Sequence, residues 1–425
     1  MSETEIKTNT ETEDSGSVLL ARQPIYDREL AVVGYEILFR NSSENRARID
    51  QSDTAAANAA TARALINTTL DMDLDRIAEG KILFFNLSHD FLLSDLELPE
   101  SESRIGIDVL TDGRDDTALA KEVEDLALSG YVIALDDFHW REGVEPLIEA
   151  ATMVKIDIQA HSATELAQLI QNLEPFDIKL TAKKVEDTQQ FDYCRELGFE
   201  LFQGYFMCRP TVVKAARVPD SKVNVMRLMA KLQDPDVSPK ELEAVIRHDM
   251  ALNYRLLRTV NSAYYGLAVK VRSISHAIVY LGLPAIRRWT RLQLLAGSDD
   301  RPSELIKLGL TRARMAELLT ANLDKNVQDA AFTVGLFSLL DAILDLPMER
   351  VVEQLPLEAD LARALTSRTG PYGHMLETII QYENGRWDEM ASGMYSHKNL
   401  TDSYMEALLW AQEQYALLTS SEKPG

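Results

Sequence analysis

The sequence predicts two domains in series, a mostly parallel α/β barrel followed by an all-α domain. Two observations point there. From Ser17 to about Pro210 short apolar strands alternate with helical stretches, and about eight strands in about two hundred residues suit a closed barrel. After Pro210 the strand signal stops, and from about Asp220 helical spacing dominates.

The strands read in order S-V-L-L-A-R, V-V-G-Y-E-I-L-F-R, K-I-L-F-F-N-L, R-I-G-I-D-V-L, Y-V-I-A-L-D-D, T-M-V-K-I-D, D-I-K-L-T-A and F-E-L-F-Q-G-Y-F. Helical stretches such as A-A-A-N-A-A-T-A-R-A-L-I and T-A-L-A-K-E-V-E-D-L-A-L lie between them. In the second half Ser238 and Ser303 are candidate N-caps, and Gly266, Gly282 and Gly370 are candidate breaks. The expected boundaries are an acidic, disordered tail over 1–16, the barrel over 17–212 and the helical domain over 213–425. The join T-V-V-K-A-A-R-V-P-D-S-K-V-N has no Gly/Ser-rich stretch, which predicts limited freedom between the domains.

Composition narrows the function classes. A chain of 425 residues, 46% hydrophobic, can bury large cores. No apolar run reaches the ~18 residues a membrane span needs, and the acidic start is unlike a secretory leader, so a cytoplasmic protein without membrane partners is expected. The formal charge of −23 repels phosphate backbones and argues against nucleic acid as a partner. Arg287, Arg288 and Arg291 make the best basic stretch, read as a solvated helix face. Cys194 and Cys208 lack zinc or disulfide spacing and read as packing thiols.

In a parallel barrel the strand C-termini share one mouth, and here they are unusually polar: Glu36, Asn86, Asp108, Asp136 with Asp137, Lys155 with Asp157, Glu186 and Gln203. Oxygen ligands of this kind suit Mg or Mn, and two such ions about 4 Å apart can clamp the attacking and leaving oxygens of a phosphodiester.

Gln23-Pro24-Ile25 followed by Gly34-Tyr35-Glu36-Ile37-Leu38-Phe39-Arg40 resembles the opening of EAL domains, barrel phosphodiesterases that linearise cyclic diguanylate. The likeness continues through Asn86-Leu87-Ser88, Leu135-Asp136-Asp137-Phe138, Val154-Lys155-Ile156-Asp157 and Gln203-Gly204-Tyr205-Phe206, covering residues 17 to 210. The resemblance implies metal-ligand positions at Glu36, Asn86, Asp108 and Asp136, a water-orienting Lys155, and Gln23, Arg40 and Gln203 near the dinucleotide, which Glu36 also faces. Mg or Mn would be the cofactor and cyclic diguanylate the small-molecule partner.

Three departures from the family pattern bear on activity. Active members carry A-E-G-V-E where this chain has Ala182-Lys183-Lys184-Val185-Glu186, so an important glutamate is Lys183. That exchange shifts the local charge by two units and removes an oxygen ligand. Asp108 stands where the family usually has glutamate, and His139-Trp140-Arg141 replaces a flexible G-T-G loop. Side chains alternate along a strand, so either Lys183 or Lys184 points inward, and neither restores the acid. The vestigial catalytic candidates are therefore Lys155, Glu186 and Asp137, with Lys183 as the disabling residue.

Residues 220 to 420 resemble the HDOD domain, a helical signalling module, through L-Q-D-P-D-V-S-P-K-E-L-E-A-V-I-R-H-D at 232 to 249, L-L-R-T-V-N-S-A at 256 to 263, S-I-S-H-A-I-V-Y-L-G-L at 273 to 283, F-T-V-G-L-F-S-L-L-D at 332 to 341, G-P-Y-G at 370 to 373 and Y-E-N-G-R-W at 382 to 387. His248-Asp249 looks like the signature of metal-dependent HD hydrolases, but no histidine lies between His161 and His248 to complete a ligand set, which weighs against a hydrolase here. His276 reads as a packed or capping imidazole. The resemblance implies a protein partner for this domain. The whole reads as a bacterial signal-transduction protein whose degenerate barrel binds cyclic diguanylate or a protein partner without efficient hydrolysis; the alternative is an active Mg- or Mn-dependent phosphodiesterase.

Overall fold

The computed structural model describes residues 18–41, 77–93, 105–110, 117–208, most of 225–260 and of 271–295, most of 302–390, and 394–419. The acidic tail, the candidate helix near residue 60, the join between domains, Gly266 and the His248-Asp249 pair lie outside the described residues.

Eight strands close in chain order into a barrel: β1 Val18–Tyr26, β2 Val32–Asn41, β3 Ile82–Leu87, β4 Ile105–Leu110, β5 Val132–Asp136, β6 Met153–Asp157, β7 Lys179–Val185 and β8 Leu201–Gly204. Strands β2 to β8 run parallel to one another, as the alternation predicts. Strand β1 is antiparallel to both β2 and β8. Its direction follows from the short turn after it, since only antiparallel strands can be joined so tightly. In that turn Asp27 Oδ1 accepts from Glu29 N at 3.0 Å and Ala31 N at 2.8 Å.

Helices α1 His89–Leu92, α2 Thr117–Leu128, α3 Glu145–Ala150, α4 Ala163–Leu173 and α5 Thr188–Glu196 intervene between strands. Local chemistry starts three of them: Ser88 accepts from Phe91 N at the head of α1, Ser162 and Glu165 form a reciprocal capping box on α4, and Asp187 accepts from Gln190 N at the head of α5. Their apolar faces bury Leu119, Val123, Leu147, Leu166 and Phe191 in one core with strand residues such as Val109, Leu135 and Ile156. A separate cluster of Ile25, Phe84, Ala134, Met153 and Leu201 fills the barrel interior.

The strand period of two then decides what lies above that interior floor. Two residues along each strand, Phe84 is followed by Asn86, Gly106 by Asp108, Ala134 by Asp136, Met153 by Lys155, Thr181 by Lys183 and Leu201 by Gln203. Small or mostly apolar residues below and charged or amide residues above come from one alternation. Phe84 is the largest member of the floor and reaches across to β4, where a Cβ on Gly106 would lie 2.3 Å from its ring.

The helical domain contains α6 Pro239–Arg247, α7 Met250–Val260, α8 Ile274–Leu295, α9 Ser303–Leu319, α10 Lys325–Phe337, α11 Leu340–Leu344, α12 Met348–Glu353, α13 Ala359–Ser367, α14 Gly370–Glu383 and α15 His397–Thr419. Ser238 precedes α6 as expected and exchanges hydrogen bonds with Glu241. Ser303 is not a cap: Pro302 holds the N-cap position and Ser303 is the first helical residue. Gly282 breaks α8 with φ 75°, ahead of Pro284. His276 is exposed rather than packed, and its backbone N–H donates to Ser273 Oγ. Arg287 donates from Nε to Leu232 O, which makes it an anchor rather than a solvated residue.

The chain divides into two compact units, one drawn from Pro210–Ile379 and Glu406–Gly425, the other combining the barrel with Ile380–Met405. No helix among the described residues is long and apolar enough to cross a membrane.

Gly106→Ala is expected to lower stability by about 1–3 kcal/mol, because the added methyl displaces Phe84 from the barrel floor. Chemical denaturation of the purified variant reads this directly.

Candidate functional site at the barrel mouth

Two lysines organise the mouth. Lys155 on β6 is completely buried, with Nζ 2.5 Å from Asp108 Oδ2 on β4 and 3.2 Å from Glu36 Oε2 on β2. Its ammonium also lies over the Phe84 ring, 4.8 Å from the centroid. Lys183 on β7 sits 2.6 Å from Asp136 Oδ1 on β5 and 3.1 Å from Asp137 Oδ1. Among the four carboxylates only Asp137 has an exposed side chain.

The backbone settles which lysine enters. The pairing of β7 with β8 shifts register between Ala182 and Val185, and Lys184 takes a left-handed φ of 59°. That irregularity keeps Lys183 facing Asp136 while Lys184 turns outward to Asp157 Oδ2, 2.6 Å away. Asp157 therefore leaves the mouth although Lys155, two residues earlier, belongs to it. Asp137 also has a left-handed φ, 47°, which lets consecutive aspartates both reach Lys183.

Amides complete the arrangement. Asn86 Nδ2 donates to Glu36 Oε1 at 2.9 Å, and Gln203 Nε2 donates to Glu36 Oε2 at 2.8 Å and to Gln23 Oε1 at 2.9 Å. Gln23 enters from the middle of the antiparallel β1, opposite Glu36 in register. Among the described residues, three oxygens of this group have no hydrogen-bond partner: Asn86 Oδ1, Asp108 Oδ1 and Gln203 Oε1. Buried acceptors left unpaired are costly, and acceptors alone are what a cation needs.

The ionisation states follow from these contacts. Burial pushes the Glu36 carboxyl up, but Lys155, Lys183 and the amide hydrogen bonds outweigh it and hold Glu36 at about 2. Burial, reinforced by the charges of Glu36 and Asp136, raises Asp108 to about 7 against the pull of Lys155. Asp136 is likewise raised, mainly by burial. Burial works against the charge on Lys155 and Lys183, yet the surrounding carboxylates prevail and raise both above the ordinary lysine value. Both lysines are ammoniums at any physiological pH.

The expected residues do not all converge. Glu36, Asn86, Asp108, Asp136, Asp137, Lys155, Lys183, Gln23 and Gln203 are linked by the contacts above. Glu186 instead accepts from Gln159 Nε2 at 2.9 Å. Arg40 ends up near the close of β2, and its side chain lies outside the described residues. The loop after Asp137 is packed: Phe138 is buried, His139 Nδ1 donates to Asp137 O at 2.8 Å, and Trp140 lies against Phe176. The supports at Phe84 and Gln159 were not singled out from sequence. The period-two relation of Phe84 to Asn86 carried the signal for the first, and nothing in the sequence marked the second.

The family model of the EAL domain matches residues 11–210, and that of the HDOD domain matches residues 218–367. The Vibrio cholerae protein named cyclic di-GMP phosphodiesterase CdgJ is 32% identical over 403 residues, which cover 93% of this chain and 92% of that protein. This chain belongs to the EAL–HDOD proteins. An uncharacterised Bacillus subtilis member, YuxH, is 29% identical over 92% of this chain and 98% of its own length. Among solved structures, Klebsiella pneumoniae BlrP1 with calcium and cyclic di-GMP matches at 19% identity and a TM-score of 0.37, covering 47% of this chain and 57% of that one. In this EAL–HDOD protein the mouth residues described above are those of the EAL half.

Lys155→Met is expected to destabilise the barrel by about 3–5 kcal/mol, because it leaves Glu36 and Asp108 buried without their counter-ion. Thermal and urea unfolding of the variant check this.

Proposed function

We propose that the barrel binds cyclic diguanylate but hydrolyses it poorly or not at all, because the Lys183 ammonium takes the place of a second divalent ion. The observation that carries the reading is the 2.6 Å contact between Lys183 Nζ and Asp136, with Asp137 0.5 Å farther from the same nitrogen. A divalent ion about 4 Å from that ammonium would meet a repulsion on the order of 8 kcal/mol at an effective dielectric of about 20. It would also lack the glutamate that Lys183 replaces.

The orphaned Asn86 and Asp108 oxygens support a reading with one cation, although among the described residues no group of three or more His, Cys, Asp or Glu side chains is placed to hold a metal ion. Glu36, Asn86 and Asp108 would hold that ion, and when bound it would polarise a phosphate oxygen as a Lewis acid. Gln23, Gln203 and Arg40 are then the residues proposed to meet the dinucleotide. The HDOD half passes the bound state to a protein partner.

A second reading, an active Mg- or Mn-dependent phosphodiesterase, is favoured by the name of the Vibrio relative and by the cation-compatible oxygens. The alternative replacement carboxylates give it little help: Asp137 is bound to Lys183, and Glu186 is engaged with Gln159.

With either metal present, the purified full-length protein is expected to leave cyclic diguanylate intact while binding it in calorimetry. Lys183→Glu combined with Asp108→Glu is expected to raise cleavage measurably above wild type. Wild-type turnover of ordinary enzymatic magnitude, about 1 per second or faster, would select the second reading instead.

A further inference from the structure

Strand β1 has a problem its sequence does not reveal. It pairs with β2 along its whole length but meets β8 only at Tyr26 opposite Phe202. Among the described residues, no strand pairs with β1 at Leu20 and Arg22 on the side away from β2. Unpaired edges of this kind invite another strand, and when buried they are costly.

Residues from the far end of the chain meet those groups. The Tyr382 hydroxyl donates to Leu20 O at 2.9 Å and accepts from Leu20 N at 3.3 Å, with Thr401 Oγ1 3.0 Å away. The Tyr404 hydroxyl accepts from Arg22 N at 3.3 Å. Both tyrosines are buried, and their rings lie 5.3 Å apart. Met405 packs into the cluster of Leu20, Tyr35, Ile37, Leu83 and Phe85, and Gly385 approaches β2 so closely that a Cβ there would lie 2.9 Å from Leu38. The segment lies beyond residue 367, where the HDOD family model ends, and far from the EAL match.

We infer that residues 380–405 are the closing element of the barrel domain, sealing the open edge of β1 with two tyrosine hydroxyls in place of a neighbouring strand. Tyr382 does for Leu20 what a paired residue does in a ladder, supplying one donor and one acceptor. The barrel is thus discontinuous in sequence, and this chain's own C-terminal segment, rather than a second copy, occupies the edge. The seal ends beside Gln23, which faces Glu36 across the β1–β2 pair.

The test is peptide-resolved hydrogen exchange on the full-length protein, with Tyr382→Phe, Tyr404→Phe and, as control, Tyr395→Phe. Tyr395 is buried in the same segment, but among the described residues its hydroxyl has no hydrogen-bond partner. Exchange across residues 18–26 is expected to rise about tenfold in each of the first two variants, with a melting temperature about 2–4 °C lower, and to stay at the wild-type rate in the control. Equal behaviour of all three variants would overturn the inference. Should the first two fail to fold, the wild-type chain decides. Residues 18–26 and 380–405 opening at one common rate support the seal, and protection of 18–26 while 380–405 exchanges freely overturns it.

Discussion

Buried carboxylates need positive charge, and that requirement governs the mouth of this barrel. Glu36, Asp108 and Asp136 are each at most 4% exposed and converge from three different strands. Left alone they would repel one another and bear the desolvation cost of several kcal/mol per ion. Lys155 answers two of them and Lys183 the third. The chain thus supplies its own positive charge to the three buried carboxylates.

The floor beneath these charges makes them effective. Phe84, Ala134, Met153 and Leu201 exclude water from below, and Gly106 is small because Phe84 needs its space. A low local dielectric strengthens each ammonium–carboxylate contact and equally strengthens repulsion between like charges. The irregularity of β7 matters for the same reason. Strand alternation points Lys183 toward Asp136, and the left-handed Lys184 carries the next side chain to Asp157.

Much of this was legible in the sequence because barrels express themselves as period-two patterns at strand ends. The strand order, the polar mouth and the residues Glu36, Asn86, Asp108, Asp136 and Gln203 could all be read from the strand runs together with the EAL-like motifs. Lys183 was identified as the departure, and its place two residues beyond Thr181 puts it in the mouth, whereas the left-handed φ of Lys184 is something no side-chain pattern encodes. The direction of β1 and the union of residues 380–405 with the barrel escaped as well. The second depends on contacts between segments hundreds of residues apart, and a tyrosine hydroxyl that replaces a strand looks in sequence like any other packed aromatic. Ser303 shows the local limit: a good capping residue loses its place when a proline just before it already sets the helix entry.

Manganese stoichiometry tests the central claim most directly. In crystals of the wild-type protein grown with excess manganese, anomalous scattering is expected to reveal at most one ion per barrel mouth, near Glu36, Asn86 and Asp108, with Lys183 still against Asp136. Two manganese peaks about 4 Å apart in the same mouth would contradict the account.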